Sequence, residues 1–233
     1  MKNISISLLK LKEEDYDSYL SHLVSIRENF KNLNITIHFD VMDNIFVPNT
    51  GIDINKIARV KEHNIYIDTH LMVENPKAYI DTAIKLGSND ITIHYEIKEF
   101  EKWLEYLLEK KMSLNGNLKI GVSVKPKTDI KVLNKYMDKI DKILVMSVEP
   151  GFGGQKYLES ANGKIAYIKN NMRDIFIQVD GGINNKTIER PIKEGADSLV
   201  IGSYLTDNLD ELDKRLSILN SIVEKSVGKN KEN

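Results

Sequence analysis

Four side chains of this 233-residue chain combine types and spacing suited to chemistry on one small substrate. They are His38 and Asp40 in His-Phe-Asp-Val-Met-Asp, His70 in Asp-Thr-His-Leu-Met, and Asp180 in Gln-Val-Asp-Gly-Gly. Each sits at the end of a short apolar run that reads as a β-strand. His38 and Asp40 are two residues apart, so their side chains share one face of a strand. Two imidazoles with two carboxylates suit one divalent ion of Zn, Fe, Mn or Co, and suit neither Ca nor a thiophilic ion. The two aspartates come from strands far apart in sequence and could face each other across a substrate, as proton transfer requires. Strand-end His and Asp also serve as ordinary loop and helix caps, and that reading must cover all four residues at once.

The elements that position them alternate along the chain. Strand-like runs occupy Ile4–Leu9, Ile35–Val41, Ile65–Met72, Asp90–Tyr95, Leu118–Val124, Lys142–Val148, Ile175–Asp180 and Ser198–Gly202. The stretches between them carry helical spacing, as in Tyr79, Ala83 and Leu86 or Trp103, Leu107 and Leu108. Eight βα units in this length predict an α/β fold, a (β/α)8 TIM barrel. A doubly wound open sheet has fewer strands, and the early turns lack its Gly-rich dinucleotide fingerprint. In a barrel the chemistry lies at the C-terminal ends of the strands, where all four residues fall. Residues 1–226 read as one barrel domain and 227–233 as a frayed, solvated tail.

Three glycine-rich turns follow the last strands: Gly151-Phe152-Gly153-Gly154, Gly181-Gly182, and Gly202 with Ser203. Glycine lets backbone N–H groups approach an anion closely, and a following helix N-terminus adds a positive dipole end. Barrel enzymes often hold a phosphate after strands 7 and 8. No Arg or Lys is evident at these turns, so backbone dipoles are expected to carry the anion. A sugar phosphate is the substrate class this combination favours.

Composition excludes several alternatives. A net charge of -1 gives no electrostatic case for nucleic acid. There are no cysteines, hence no disulfides and no thiolate ligand or nucleophile. No apolar stretch approaches the roughly 20 residues that span a bilayer. Met1-Lys2-Asn3 runs into a strand without the apolar segment of an export signal, so a cytoplasmic protein is expected. Of the other histidines, His22 and His63 fall in helical stretches as surface residues. His94 ends the fourth strand, where packing or support of the pocket suits it better than ligation.

Taken together, these segments resemble the ribulose-phosphate 3-epimerase family over nearly the whole chain, which implies a single-domain (β/α)8 TIM barrel of the ribulose-phosphate-binding type. The resemblance is carried by Ile-Ser-Ile-Ser-Leu-Leu, His-Phe-Asp-Val-Met-Asp-Asn-Ile-Phe-Val-Pro-Asn, Asp-Thr-His-Leu-Met-Val-Glu-Asn-Pro, Val-Met-Ser-Val-Glu-Pro-Gly-Phe-Gly-Gly-Gln, Val-Asp-Gly-Gly-Ile and Gly-Ala-Asp-Ser-Leu-Val-Ile-Gly-Ser. It implies a metal-dependent epimerisation at C3 of a ketose phosphate, D-ribulose 5-phosphate to D-xylulose 5-phosphate in the pentose phosphate pathway, through an enediolate. Asp40 would be the general base and Asp180 the general acid, with His38, Asp40, His70 and Asp180 holding one divalent metal. Ser7, His70, Gly151 to Gly154, Gly181, Gly182, Gly202 and Ser203 would contact substrate. Met42, Met72 and Met146 would line the pocket, although gap-filling core methionines read the same way. Family members are usually homo-oligomers.

The chain departs from the family at Asn44, where glycine is usual, and in the short Asn49-Thr50-Gly51 segment. It departs also at Lys125, where Asn is common, and at Ser5 and Ile6, where a small residue and proline are usual. These changes are expected to touch the pocket rim, and they keep allulose-6-phosphate 3-epimerase open as an alternative. A decarboxylase on the same barrel needs a catalytic lysine among strand-end aspartates, which this pattern lacks. A non-catalytic sugar-phosphate-binding paralogue has no need of a complete acid, base and metal set.

Overall fold

A computed structural model describes residues 1–172 and 174–228. Its eight strands are β1 (Lys2–Ser7), β2 (Leu33–Met42), β3 (Ile67–Met72), β4 (Asp90–His94), β5 (Lys119–Val124), β6 (Lys142–Met146), β7 (Phe176–Asp180) and β8 (Ser198–Ile201). All pairs are parallel, and β8 returns to β1 to close the expected (β/α)8 barrel. The helices are α1 (Tyr16–Ile26), α2 (Ile57–Glu62), α3 (Lys77–Leu86), α4 (Phe100–Ser113), α5 (Ser160–Asn171), α6 (Glu189–Glu194), α7 (Ser203–Thr206) and α8 (Leu212–Gly228). Val227 and Gly228, the start of the expected tail, end α8; residues 229–233 lie outside the described residues. Among the described residues no helix is long and apolar enough to cross a membrane.

Between β5 and β6 the crossover is a 3-10 segment, Ile130–Lys139, in place of an α-helix. Its buried side chains are Ile130, Leu133 and Tyr136, spaced every three residues. That spacing stacks them on one side of a helix with three residues per turn, whereas 3.6 residues per turn would rotate them apart. Asp129 caps its start by accepting from the Lys131 backbone N–H at 3.0 Å.

Strand alternation separates two environments. Outward-facing residues such as Ile4, Ile37, Phe39, Ile91, Val122, Ile143, Val179 and Leu199 join the helices in one continuous apolar core. Each such side chain contributes about 1.5–3 kcal/mol by burial. The inward positions are largely polar. Ser5, Thr36, Asp68, Asp90, Lys142 and Gln178 are all buried. Lys142 Nζ donates to Asp68 Oδ1 at 2.6 Å and to Asp90 Oδ1 at 2.7 Å. Gln178 Nε2 donates to Asp68 Oδ2 at 2.6 Å, across the barrel. Burial by itself would raise the Asp68 pKa, but the charges of Lys142 and His38 outweigh it and hold Asp68 well below the usual carboxylate range. Asp90 goes the other way: burial, and then the charge of Asp68, push it well up.

Lys142 therefore shares with His38 the task of keeping Asp68 ionised, and it bridges Asp68 to Asp90 at the base of the barrel. Lys142→Met is expected to cost about 3–5 kcal/mol, because it strands buried charge. The double variant Lys142→Met with Asp90→Asn should recover part of that loss in denaturant unfolding. Equal stability of Lys142→Met and the parent would show that the network does not support the fold.

Candidate active site

Strand register brings the four residues together. Asp40 pairs with His70, and His38 with Ser7 on one side and Asp68 on the other. All four point into the barrel, and one ligand atom from each of His38, Asp40, His70 and Asp180 lies within 4.8 Å of the others. Two placements differ from expectation. His38 and His70 stand four and two residues before the ends of β2 and β3, since both strands run on to a methionine. They are wholly buried, while Asp40 and Asp180 reach the cavity in front of them.

Each histidine is held by its second nitrogen. His38 Nδ1 lies 2.8 Å from Asp68 Oδ2, and its buried Nε2, which makes no well-aligned hydrogen bond, lies 3.3 Å from Asp40 Oδ1. An ionised Asp68 can only accept, so Nδ1 carries the proton and a neutral His38 turns the Nε2 lone pair toward the cluster. His70 Nδ1 lies 3.3 Å from Asp40 Oδ1 and 3.8 Å from Asp180 Oδ2. Its Nε2 meets His94 Nε2 at 2.9 Å, and His94 Nδ1 meets Glu96 Oε2 at 3.2 Å. Glu96 Oε1 in turn accepts from the Lys125 backbone N–H at 2.7 Å and from the Thr128 hydroxyl. With the cluster fit to hold a cation, His70 donates from Nε2 to His94, and His94 donates from Nδ1 to Glu96. Two buried imidazole nitrogens and two carboxylates, each histidine oriented by an outer acceptor, form a donor set suited to a borderline divalent cation.

The electrostatics of the cluster are uneven. Burial drives His70 down to about 4 despite Asp40. Burial opposes the charged form of His38 as well, but Asp68 and Asp40 outweigh it and raise His38 well above the usual imidazole value. Asp40 is pressed upward by burial, yet His38 and His70 hold it below the ordinary carboxylate range. Asp180 is raised to about 7 by burial and then by the charge of Asp40. Ser7 Oγ donates to Asp40 Oδ2 at 2.5 Å.

In front of the aspartates lies a cavity of about 420 Å³, an ordinary size for a small-molecule site. Met42, Met72 and Met146 form part of its wall. Ser7, Gly151, Phe152, Gly153, Gly154, Gly181, Gly182, Gly202 and Ser203 line it too. Of the residues expected at the substrate, His70 alone stands behind the wall. Gly182 has φ +66°, and a Cβ there would overlap the Tyr157 backbone, so this turn accepts no side chain. The dipole part of the expectation is weaker than the glycine part, because α7 is four residues long and α6 begins only at Glu189. The expected absence of cations is corrected: Lys10 and Lys186 both line the cavity. Lys186 is four residues past Gly182 and could have been noticed; Lys10 belongs to the β1 loop, far away in sequence.

None of the departures at Asn44, Thr50 or Lys125 lies on the cavity wall, contrary to expectation. Asn44 adopts φ 57°, a left-handed conformation that asparagine tolerates better than most residues, so it keeps the backbone that glycine would. Gly51 packs against Asp40, and a Cβ would overlap the Asp40 carbonyl. Asn49 Nδ2 donates to the Gly151 carbonyl at 2.6 Å and ties the two loops together. Lys125 Nζ sits 3.9 Å from the centre of the Phe46 ring. His22, 2.6 Å from Asp213, and His63, at the end of α2, are both half-buried, where surface positions were expected.

His38 and Asp180 must each release a proton to accept a cation, so protons compete with binding. Asp180 is mostly charged above about pH 7 and protonated below it, so affinity is lost as pH falls. Zn or Mn affinity of the metal-free protein is expected to weaken about tenfold or more per pH unit from about 7 to 5.5. Calorimetric titration across that range checks this, and a flat profile would contradict it.

Comparison with known proteins agrees with the geometry. The model of the Ribulose-phosphate 3 epimerase family matches residues 4–206. The ribulose-phosphate 3-epimerase of Bacillus subtilis is 36% identical over 181 residues, covering 75% of this chain and 81% of that protein. The cytoplasmic isoform from Oryza sativa is 34% identical over 173 residues, covering 72% of this chain and 74% of its own. Among solved structures, 3-hexulose-6-phosphate synthase from Salmonella typhimurium superposes with a TM-score of 0.68 at 15% identity, covering 97% of this chain and 100% of that one, a likeness of fold alone. With a matching family model over most of its length, this chain belongs to the ribulose-phosphate 3-epimerase family.

Proposed function

We propose that the protein epimerises D-ribulose 5-phosphate and D-xylulose 5-phosphate at C3, with Asp40 and Asp180 as the acid and base pair. The observation that carries this reading is that Asp40 from β2 and Asp180 from β7 border the same cavity and belong to one four-residue cluster. Epimerisation removes a proton from one face of C3 and returns one to the other, so it needs two groups on opposite sides of the substrate. Asp40 takes the proton in one direction and Asp180 supplies its replacement; the roles exchange in reverse. Ser7 holds Asp40 in place through its hydroxyl. The glycine turns grip the phosphate and fix C3 between the carboxylates. Met42, Met72 and Met146 keep the reacting face apolar and limit exchange of the proton with water. His38 Nε2, His70 Nδ1 and the two aspartates would hold a divalent cation. When bound, that cation supplies a Lewis acid that makes the C3 proton more acidic.

Asp40→Asn and Asp180→Asn are each expected to lower kcat by about 10²–10⁴-fold, the worth of a general acid or base, with folded circular dichroism spectra. A variant with near-normal turnover would remove that aspartate from the chemistry. Exhaustive chelation should abolish turnover and added Zn, Mn, Fe or Co should restore it. Parallel kcat/KM values on ribulose 5-phosphate and allulose 6-phosphate identify the substrate: a preference for the six-carbon sugar would replace this assignment.

A further inference from the structure

A sugar phosphate arrives with a charge of about -1.5 to -2, and its expected cradle of glycine turns offers only backbone dipoles. Two lysines line that cavity, Lys186 four residues past Gly182 and Lys10 against the Gly151 to Gly154 turn, and Lys10 is the one seated on glycines. Lys10 follows β1 in a turn closed by the Leu11 N–H donating to the Leu8 carbonyl at 3.0 Å. Because β1 pairs with β8, this turn rises beside Gly202 and Ser203. From there the side chain crosses to the β6 loop. Its Cε lies 3.3 Å from where a Cβ would stand on Gly153, and its Nζ lies 2.9 Å from the same position on Gly154. The missing side chains of Gly153 and Gly154 are thus the space that the ammonium and its stem occupy.

Lys10 is exposed, and among the described residues it has no ion pair or hydrogen bond through its side chain. Besides Asp40 and Asp180, two carboxylates line the cavity, Glu149 and Asp207. Asp207 is held by Arg215, and Glu149 acts on Lys164. An unpaired lysine held over a glycine turn at the mouth of a cavity is poised for an anion. We propose that Lys10 is a phosphate-binding residue, which adds a point charge to the backbone cradle and selects phosphorylated over neutral sugars. This rests on the sugar-phosphate reading of the cavity and deepens it. Lysine binds phosphate as a compact charge on a flexible stem, so its contribution falls on affinity and leaves the proton transfer untouched.

The test compares the parent with Lys10→Met and Lys10→Arg as metal-loaded proteins. Binding of inorganic phosphate, measured by calorimetric titration, should weaken about five- to tenfold in Lys10→Met and return to within about twofold of the parent in Lys10→Arg. KM for ribulose 5-phosphate should rise by a similar factor in Lys10→Met while kcat stays within about twofold. Phosphate affinity unchanged by Lys10→Met would overturn the proposal. A parent protein that binds phosphate with this dependence on Lys10, yet does not epimerise ribulose 5-phosphate, would defeat the proposed activity and leave the role of Lys10 standing. A parent that binds no phosphate would defeat both.

Discussion

The hydrogen bond that His38 makes through Nδ1 to Asp68 at 2.8 Å sets the geometry of the site. It turns the ring so that Nε2 faces Asp40, His70 and Asp180. Asp68 can serve only if it stays ionised in the middle of a barrel, and burial works against that. Lys142 and Gln178 keep it so, one by charge and both by donated hydrogen bonds. The cluster at the mouth of the barrel is therefore supported by a buried polar network in which Lys142 joins Asp68 of β3 to Asp90 of the neighbouring β4. His70 has its own support, through His94 to Glu96, and the two histidines are fixed independently.

This arrangement divides the labour between the faces of the strands. The outward residues pack against the helices in a continuous apolar shell, which supplies most of the burial. The inward residues are thereby free to be polar, provided every charge finds a partner. Depth divides the site again. The ligand nitrogens lie in the wall, the carboxylates at its surface, and the glycine turns with Lys10 at the rim. A ketose phosphate entering phosphate-last would meet them in the order its own groups require. The bond from Asn49 to the Gly151 carbonyl joins the loop behind Asp40 to the loop at the rim, so the two ends of such a ligand are held by one connected structure.

Much of this was legible in the sequence, for identifiable reasons. His38 and Asp40 share a strand face because strand side chains alternate with period two, and no tertiary information is needed to see it. Asp180 precedes Gly181-Gly182, which marks both a strand end and a close backbone approach. The barrel itself followed from eight alternating units. Strand ends were less legible, since an apolar run such as Ile4 to Leu9 continues past the last ladder bond into the loop. The 3-10 crossover was hidden because Ile130, Leu133 and Tyr136 fit the start of an α-helical pattern almost as well.

The sequence by itself determined the makeup of the candidate site: the residue types, their parity on strands, and the glycines whose turns line the cavity. These are local properties, set by side-chain chemistry and by the periods of strand and helix. Only the tertiary structure decided how those groups are supported. That Lys142 sits under Asp68, that His94 and Glu96 stand behind His70, and that Lys10 reaches Gly154 depend on which strands become neighbours when the barrel closes. Those contacts join residues up to 144 positions apart, and no short-range pattern encodes them. The four cluster residues follow a local pattern, while their partners are chosen by the geometry of closure.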